Sequence, residues 1–461
     1  MRRLVFSLVA VAVVLVAVQA AFQFVTEQNR AAKVAQAGKP AAIDAYQTLV
    51  ARMDGAKSAA PDSQPEQQVL AGFPALPEDS DAIMEGYKRL FTHLETTVNS
   101  LGPKQAFDLE NALFRKPHHE WTATEWSKVT EFLSANQELV QGIREMAERG
   151  GPVYPLNISE GLGMELGYIA PIGKCAKVLA ADAKIRAKQA DYAGAVEDIL
   201  GGMKLGDALA QEPLTMSQLT RIANYVIMNA ALVQSFEHSR DLSAEHTQTL
   251  MAHIAQADNH QAFADALAGE RYMELQSFAN VRRRSGWRLP SLQGSLFHWF
   301  YESPLGKPWV NMDEEFYADT MNRIISAAAL PYYEAAPTLD AISADLEHLP
   351  RSRPLSSVML CDFSGMFATQ ARHEATLDLM QMGILLEQYQ AWNGSYPERL
   401  DAIAPDLGDT LPIDPFTGEP YHYLPSVDSF LLYSVGHNLS DDGGRHDWLG
   451  GDLVWRGVEE D

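Results

Sequence analysis

"FATQARHEATLDLMQMGILLEQYQAWNGSYPERL", Phe367 to Leu400, decides how the end of this chain is read. Phe367, Ala371, Ala375, Leu379, Met382, Leu386 and Tyr389 recur every three or four residues, the spacing of one helix face. Asn393-Gly394 supplies the terminator, because glycine takes the left-handed conformation that closes a helix at no steric cost. Tyr396-Pro397 then turns the chain, and Asp414-Pro415-Phe416-Thr417-Gly418 is a second turn. Tyr421-His422-Tyr423, Phe430 to Ser434 and Asp452 to Trp455 are short β-type runs. Residues 365–461 therefore read as an α+β module, a long helix followed by a small antiparallel sheet.

Upstream, the pattern is helical. Thr122 and Glu125 form a capping box that opens a helix expected to run to Gly150-Gly151. "ADAKIRAKQADYAGAVEDILGGMKLGDALA" reads as two helices joined at Asp191-Tyr192. Small residues at Ala180, Ala183 and Ala187 admit the close approach of Ala193, Val196 and Leu200. This stretch resembles one tetratricopeptide unit, with no repetition at that period on either side. An ordinary helical hairpin and one turn of a peptide-binding superhelix both fit it. Met312 to Leu349 is again helical, broken at Pro331, and "PRSRPLSSVML" is the joint before the last unit. The fold class is mainly α with a C-terminal α+β module. The expected divisions are 1–25, a membrane anchor or signal segment; 26–81, a helical stalk and linker; 82–350, a helical domain; and 365–461.

The chain has 461 residues, 46% hydrophobic and 21% charged, a globular balance. Its net charge of −24 excludes non-specific nucleic-acid binding, which needs clustered Lys and Arg. Arg2-Arg3 precede Leu4 to Val25, interrupted only by Ser7, Gln19 and Gln23. About 22 residues at ~1.5 Å each would cross a bilayer core. The expectation is an inner-membrane protein, anchored to the membrane through this N-terminal helix with its bulk outside the cytoplasm. Cleavage at Val18-Gln19-Ala20 would instead make it secreted. The two cysteines, Cys175 and Cys361, are either one disulfide or two buried thiols. Arg282-Arg283-Arg284 with Arg288 is a solvated helix end or a contact for anionic lipid or an acidic partner. The aromatics of "LFHWFYESPLGKPWV", Leu296 to Val310, pack over the helical body or form a partner surface.

Three stretches carry a more specific likeness. "LLEQYQAWNGSYPERL", "LPIDPFTGEPYHYL" and "FLLYSVGHNLSDDGGRHDWLGGDLVW" stand in the order found in the globular part of the major, G-type pseudopilin of type II secretion. The last 90 or so residues thus resemble that family, and the whole layout looks like bacterial exported proteins carrying the unit behind a helical region. In the pseudopilins the loop after Tyr-Ser-x-Gly binds calcium. The resemblance therefore implies a structural Ca2+ held by Asn438, Asp441, Asp442, Asp447 and Asp452, Asn438 standing where the family has Asp. The chemistry agrees: calcium takes six to eight hard oxygens, and crowded carboxylates repel one another without it. Gly394 to Asp461 holds fourteen acidic against three basic residues. A solvated acidic loop without an ion is the plainer reading. The departure is at the front, where Leu4 to Val25 lacks the Glu that drives pseudopilin assembly. The unit reads as a reused module.

No catalytic signature stands out; G-x-S-x-G, H-E-x-x-H and the P-loop are absent from the sequence. His118-His119-Glu120 reads as turn chemistry, and Arg372, Glu374 and Asp378 as a solvated helix side. His437 and His446 flank the acidic loop. The function expected is structural or interaction-based, with a protein partner. A hydrolase-type enzyme with its site in the helical domain, or a peptide-binding helical scaffold, are the alternatives.

Overall fold

The computed structural model describes residues 78–115, 121–156, 166–236, 242–257, 260–283, 306–350, 353–360, 363–427, 429–445 and 451–455. Leu4 to Val25, most of the stalk and linker, the His118-His119-Glu120 trio, Arg284, Arg288, most of the Leu296–Val310 aromatics, Cys361, His446 and Asp447 lie outside the described residues.

The chain is mainly helical, with a small three-stranded antiparallel sheet near its C-terminus. The helices are α1 (Ser80–Asn99), α2 (Pro103–Glu110), α3 (Ala123–Ala135), α4 (Gln137–Arg149), α5 (Ile169–Lys188), α6 (Tyr192–Asp207) and α7 (Thr215–Ser235). They continue with α8 (Ala244–Ala257), α9 (His260–Arg283), α10 (Lys307–Ala327), α11 (Tyr332–Glu347), the short α12 (Ser356–Met359) and α13 (Ser364–Asn393). Strands β1 (His422–Pro425), β2 (Phe430–Ser434) and β3 (Leu453–Trp455) follow in the order β1-β2-β3.

The capping box at Thr122 and Glu125 is formed in both directions. The helix it opens stops short of Gly150, however. Asn136 leaves the helical region (φ −123°, ψ 42°) and donates its side-chain amide back to the Phe132 carbonyl, so α3 and α4 are separate. Asp191 caps α6 by accepting from the Gly194 amide, and α5 and α6 form the expected hairpin with Ala180, Ala183, Ala187 and Val196 in its core.

The membrane expectation is corrected. Among the described residues no helix is long and apolar enough to cross a membrane. The longest, α13, carries Arg372, Glu374, Asp378 and Glu387 along its length. Leu4 to Val25, on which the signal-anchor reading rests, lies outside the described residues.

Three large cores organise the described residues. One gathers α1 to α5 around Tyr87, Leu133, Ile143 and Ile172, and includes Cys175, a free thiol that burial pushes up to about 12. A second joins α9, α10 and α11 to Phe363, Met366 and Phe367. The third runs from the α5–α6 hairpin through α7 and α8 into α13, Phe416, Leu432 and Trp455. Helix α13 is thus buried on more than the single stripe its spacing shows. Ala371, Ala375 and Leu379 are buried, and so are His373, Glu374 and Leu377. One side faces the helical body and another faces the sheet. The side read as solvated is covered: Glu374 accepts from the Gln370 amide, and Asp378 accepts from the Tyr421 hydroxyl at 2.7 Å.

Candidate functional site

The acidic turn between β2 and β3 is built by glycine conformations and carboxylates together. Gly436, Gly443 and Gly444 have φ of 65°, 74° and 78°, a region open to glycine and strained for residues with a Cβ. The turn folds back over the outer face of the sheet. A Cβ at Gly444 would stand 2.6 Å from Leu431 Cδ2, so a larger residue there would have to displace that side chain. The Tyr433 hydroxyl, on the same face, donates to Asp441 Oδ1 at 2.9 Å, and the His422 ring stacks on Tyr433 with centroids 4.7 Å apart.

Of the predicted ligands, Asn438, Asp441 and Asp452 spend oxygens on the backbone of this turn, and Asp442 accepts from the Asn438 side chain. Asp452, buried beneath it, accepts from the amides of Asp442 (3.4 Å) and Gly444 (2.6 Å). Asp441 Oδ1 also accepts from the Gly443 amide, and Asn438 bridges the Ser440 amide and the Asp442 carboxylate. Burial first, and then the charges of Asp442 and Asp441, raise the Asp452 carboxyl above its ordinary value. Asp441 is exposed, and the Gly443 amide and Tyr433 hydroxyl hold it below. Oxygen donors of this kind suit a hard cation. Among the described residues, though, no three Asp, Glu, His or Cys side chains stand close enough to share one ion, and Asp447 lies outside them. On the same sheet, Leu424 and Val427 of the β1–β2 hairpin are 57% and 87% exposed.

Two further groups of polar side chains lie inside the helical body, where the sequence showed none. In the first, the Asp207 carboxylate at the end of α6 accepts from Arg221 Nε (3.0 Å) and the Tyr225 hydroxyl (2.9 Å), both on α7. It also lies 3.1 Å from His253 Nε2 on α8. Burial would raise this carboxyl, but the His253 bond and the Arg221 charge outweigh it and hold Asp207 low. Behind Tyr225, at 5.1 Å between ring centroids, stands His373 of α13, 2% exposed with no partner for either ring nitrogen among the described residues. Burial and the Arg221 charge push His373 down to about 3, so its ring is neutral.

In the second group, acids flank the first turn of α7. Glu212 accepts from Tyr168 (2.6 Å) and Ser217 (2.5 Å), and its other oxygen has no partner among the described residues. Glu270 accepts from the Thr215 hydroxyl at 2.8 Å, and Glu274, one turn along α9, accepts from Tyr317. Burial drives Glu212 up to about 7 and Glu274 up to about 8, with the Glu270 charge adding to the latter.

Neither group has a local signature. Asp207 and His373 are far apart in the chain and each sits in an unremarkable helical pattern. Only the i, i+4 placement of Arg221 and Tyr225 hinted that one face of α7 is polar.

No known protein family, no curated protein and no solved structure matches this chain.

Proposed function

We propose that this is a structural or interaction protein that offers the outer face of its C-terminal sheet to a protein partner, with the acidic turn there as a calcium-responsive element. The observation that carries the reading is the turn itself: it lies over a sheet face whose β1–β2 hairpin also carries exposed Leu424 and Val427, and is tied down by carboxylate-to-amide bonds from Asp441 and Asp452. The rest of the unit is occupied by its own body, because the inner face of the sheet packs on α13 through Leu432, Leu453 and Trp455. Asp441, Asp442 and Asp452, with Asn438 and Asp447, would hold the ion, which would offset the burial and the neighbouring Asp442 and Asp441 charges that raise Asp452. The pseudopilin-like order of helix, Asn-Gly-x-Tyr-Pro turn and sheet supports the same reading.

The test is photocrosslinking of the full chain in the cells that produce it, with the reactive residue at Val427 and a control at exposed Lys88 on α1. A discrete adduct to one protein from position 427, absent from 88 and weakened by a chelator, is the expected result. Equal labelling from both positions, or none from 427, would end the proposal.

A further inference from the structure

We infer that Asp207, Tyr225 and His253 form a proton-transfer site in which His253 is the base that activates water against a carboxylic ester. This goes beyond the interaction role and belongs to a different part of the molecule. The geometry carries it. Asp207 is ionised and can only accept, so the proton on the His253 nitrogen 3.1 Å away belongs to Nε2. In the neutral imidazole the lone pair is then on Nδ1. The His253 side chain is 18% exposed, and its remaining nitrogen bonds no protein group among the described residues. A buried base would be useless and a fully exposed one would wander; this ring is neither. Tyr225 holds its plane, stacked at 11° with its hydroxyl 3.3 Å from Nε2.

An ion pair meant only to join α6 to α7 needs Asp207 and Arg221. Here the same carboxylate also orients an imidazole from α8, the arrangement of a base held by a third group. Arg221 is locked as well, donating to the Ala257 carbonyl at the end of α8. Its positive charge keeps the Asp207 carboxylate ionised beside the imidazole. In the step, Nδ1 takes a proton from water as the water oxygen bonds to the ester carbonyl carbon. The adduct collapses, the bond from that carbon to the alcohol oxygen breaks, and the proton on Nδ1 passes to the departing alkoxide. Acid and alcohol leave, and the imidazole is neutral again. In these terms His253 is the catalytic residue, and Asp207 and Tyr225 are positioning residues.

The experiment measures hydrolysis of 4-nitrophenyl acetate, butyrate and octanoate by the full chain, with nitrogen-15 shifts reporting the His253 tautomer. The parent should hydrolyse at least one ester above buffer and show Nε2 protonated. His253→Gln, which retains an amide donor but no basic nitrogen, should lose about a hundredfold in rate. Asp207→Asn should lose a comparable factor and also the tautomer preference, a change that a structural role alone would not produce. His348→Ala, an exposed histidine at the end of α11, should match the parent. Circular dichroism melts show whether each variant is folded, and the His253→Gln comparison stands even if Asp207→Asn is not. A parent rate no higher than buffer for all three esters, a His253→Gln rate equal to the parent's, or a proton on Nδ1 would each overturn the inference.

Discussion

The Trp455 indole occupies the space that a side chain at Gly383 would need, so the last strand meets α13 backbone to ring. Trp455 is buried there among Leu432 and Leu453. Gly383→Ala should therefore push the sheet off the helix, since overpacking a filled core costs about 1–3 kcal/mol. Denaturant unfolding should show the loss, although alanine is the better helix former. A variant as stable as the parent would mean the indole has room to move.

Glu212 and Glu274 make stability depend on pH in a definite direction. Their carboxyls sit at about 7 and about 8 in the fold, against 4.5 ordinarily. The contribution of each is fully present below pH 4.5 and is lost as pH rises through 7 to 8, because the unfolded chain releases those protons first. For Glu212 the difference is on the order of 3 kcal/mol. Glu212→Gln and Glu274→Gln should melt higher than the parent at pH 8.5, with the advantage gone at pH 4.5. Parallel melting curves across that range would contradict this.

Arg144 on α4 pairs with Asp198 of α6 at 2.7 Å and Asp182 of α5 at 2.5 Å, all three nearly excluded from solvent. Arg186 reaches both aspartates at 3.4 Å, too far to replace it. Arg144→Met should cost about 3–5 kcal/mol by stranding buried charge, and adding Asp198→Leu should recover most of that. Urea midpoints of the two variants give the comparison.

The acidic turn should open locally before the sheet does. Asp452→Asn removes the charge that binds the Asp442 and Gly444 amides, worth about 1.5–3 kcal/mol for bonds to an ionised group. Hydrogen exchange at Asp442 and Gly444 should accelerate at least tenfold while the Leu432 and Tyr433 amides stay protected. Uniform acceleration through β2 would show that turn and sheet open together.

Periodicity and punctuation decided the elements. The stripe from Phe367 to Tyr389, the stop at Gly394, the cap at Thr122, the joint at Asp191-Tyr192 and the three β-type runs all stand where local rules put them. Such rules act over a few residues, so they are written in adjacent letters. They could not say that Asn136 would break its helix, since that rests on one side-chain amide reaching the Phe132 carbonyl. The acidic turn was half legible. Its glycines and aspartates marked a special loop, but not that Asp452 would lie beneath it, holding its amides.

What the sequence by itself determined is the helical character of the chain, the α+β order of its end and the place of the acidic turn. Only the tertiary structure decided that α13 is shared between body and sheet, because a helix with two buried sides hides the second behind residues such as His373 and Glu374 that look polar. It alone brought Asp207, Tyr225 and His253 together from three helices. Local patterns carry the geometry of one element, whereas convergence depends on how elements cross, and no spacing along a single helix records that.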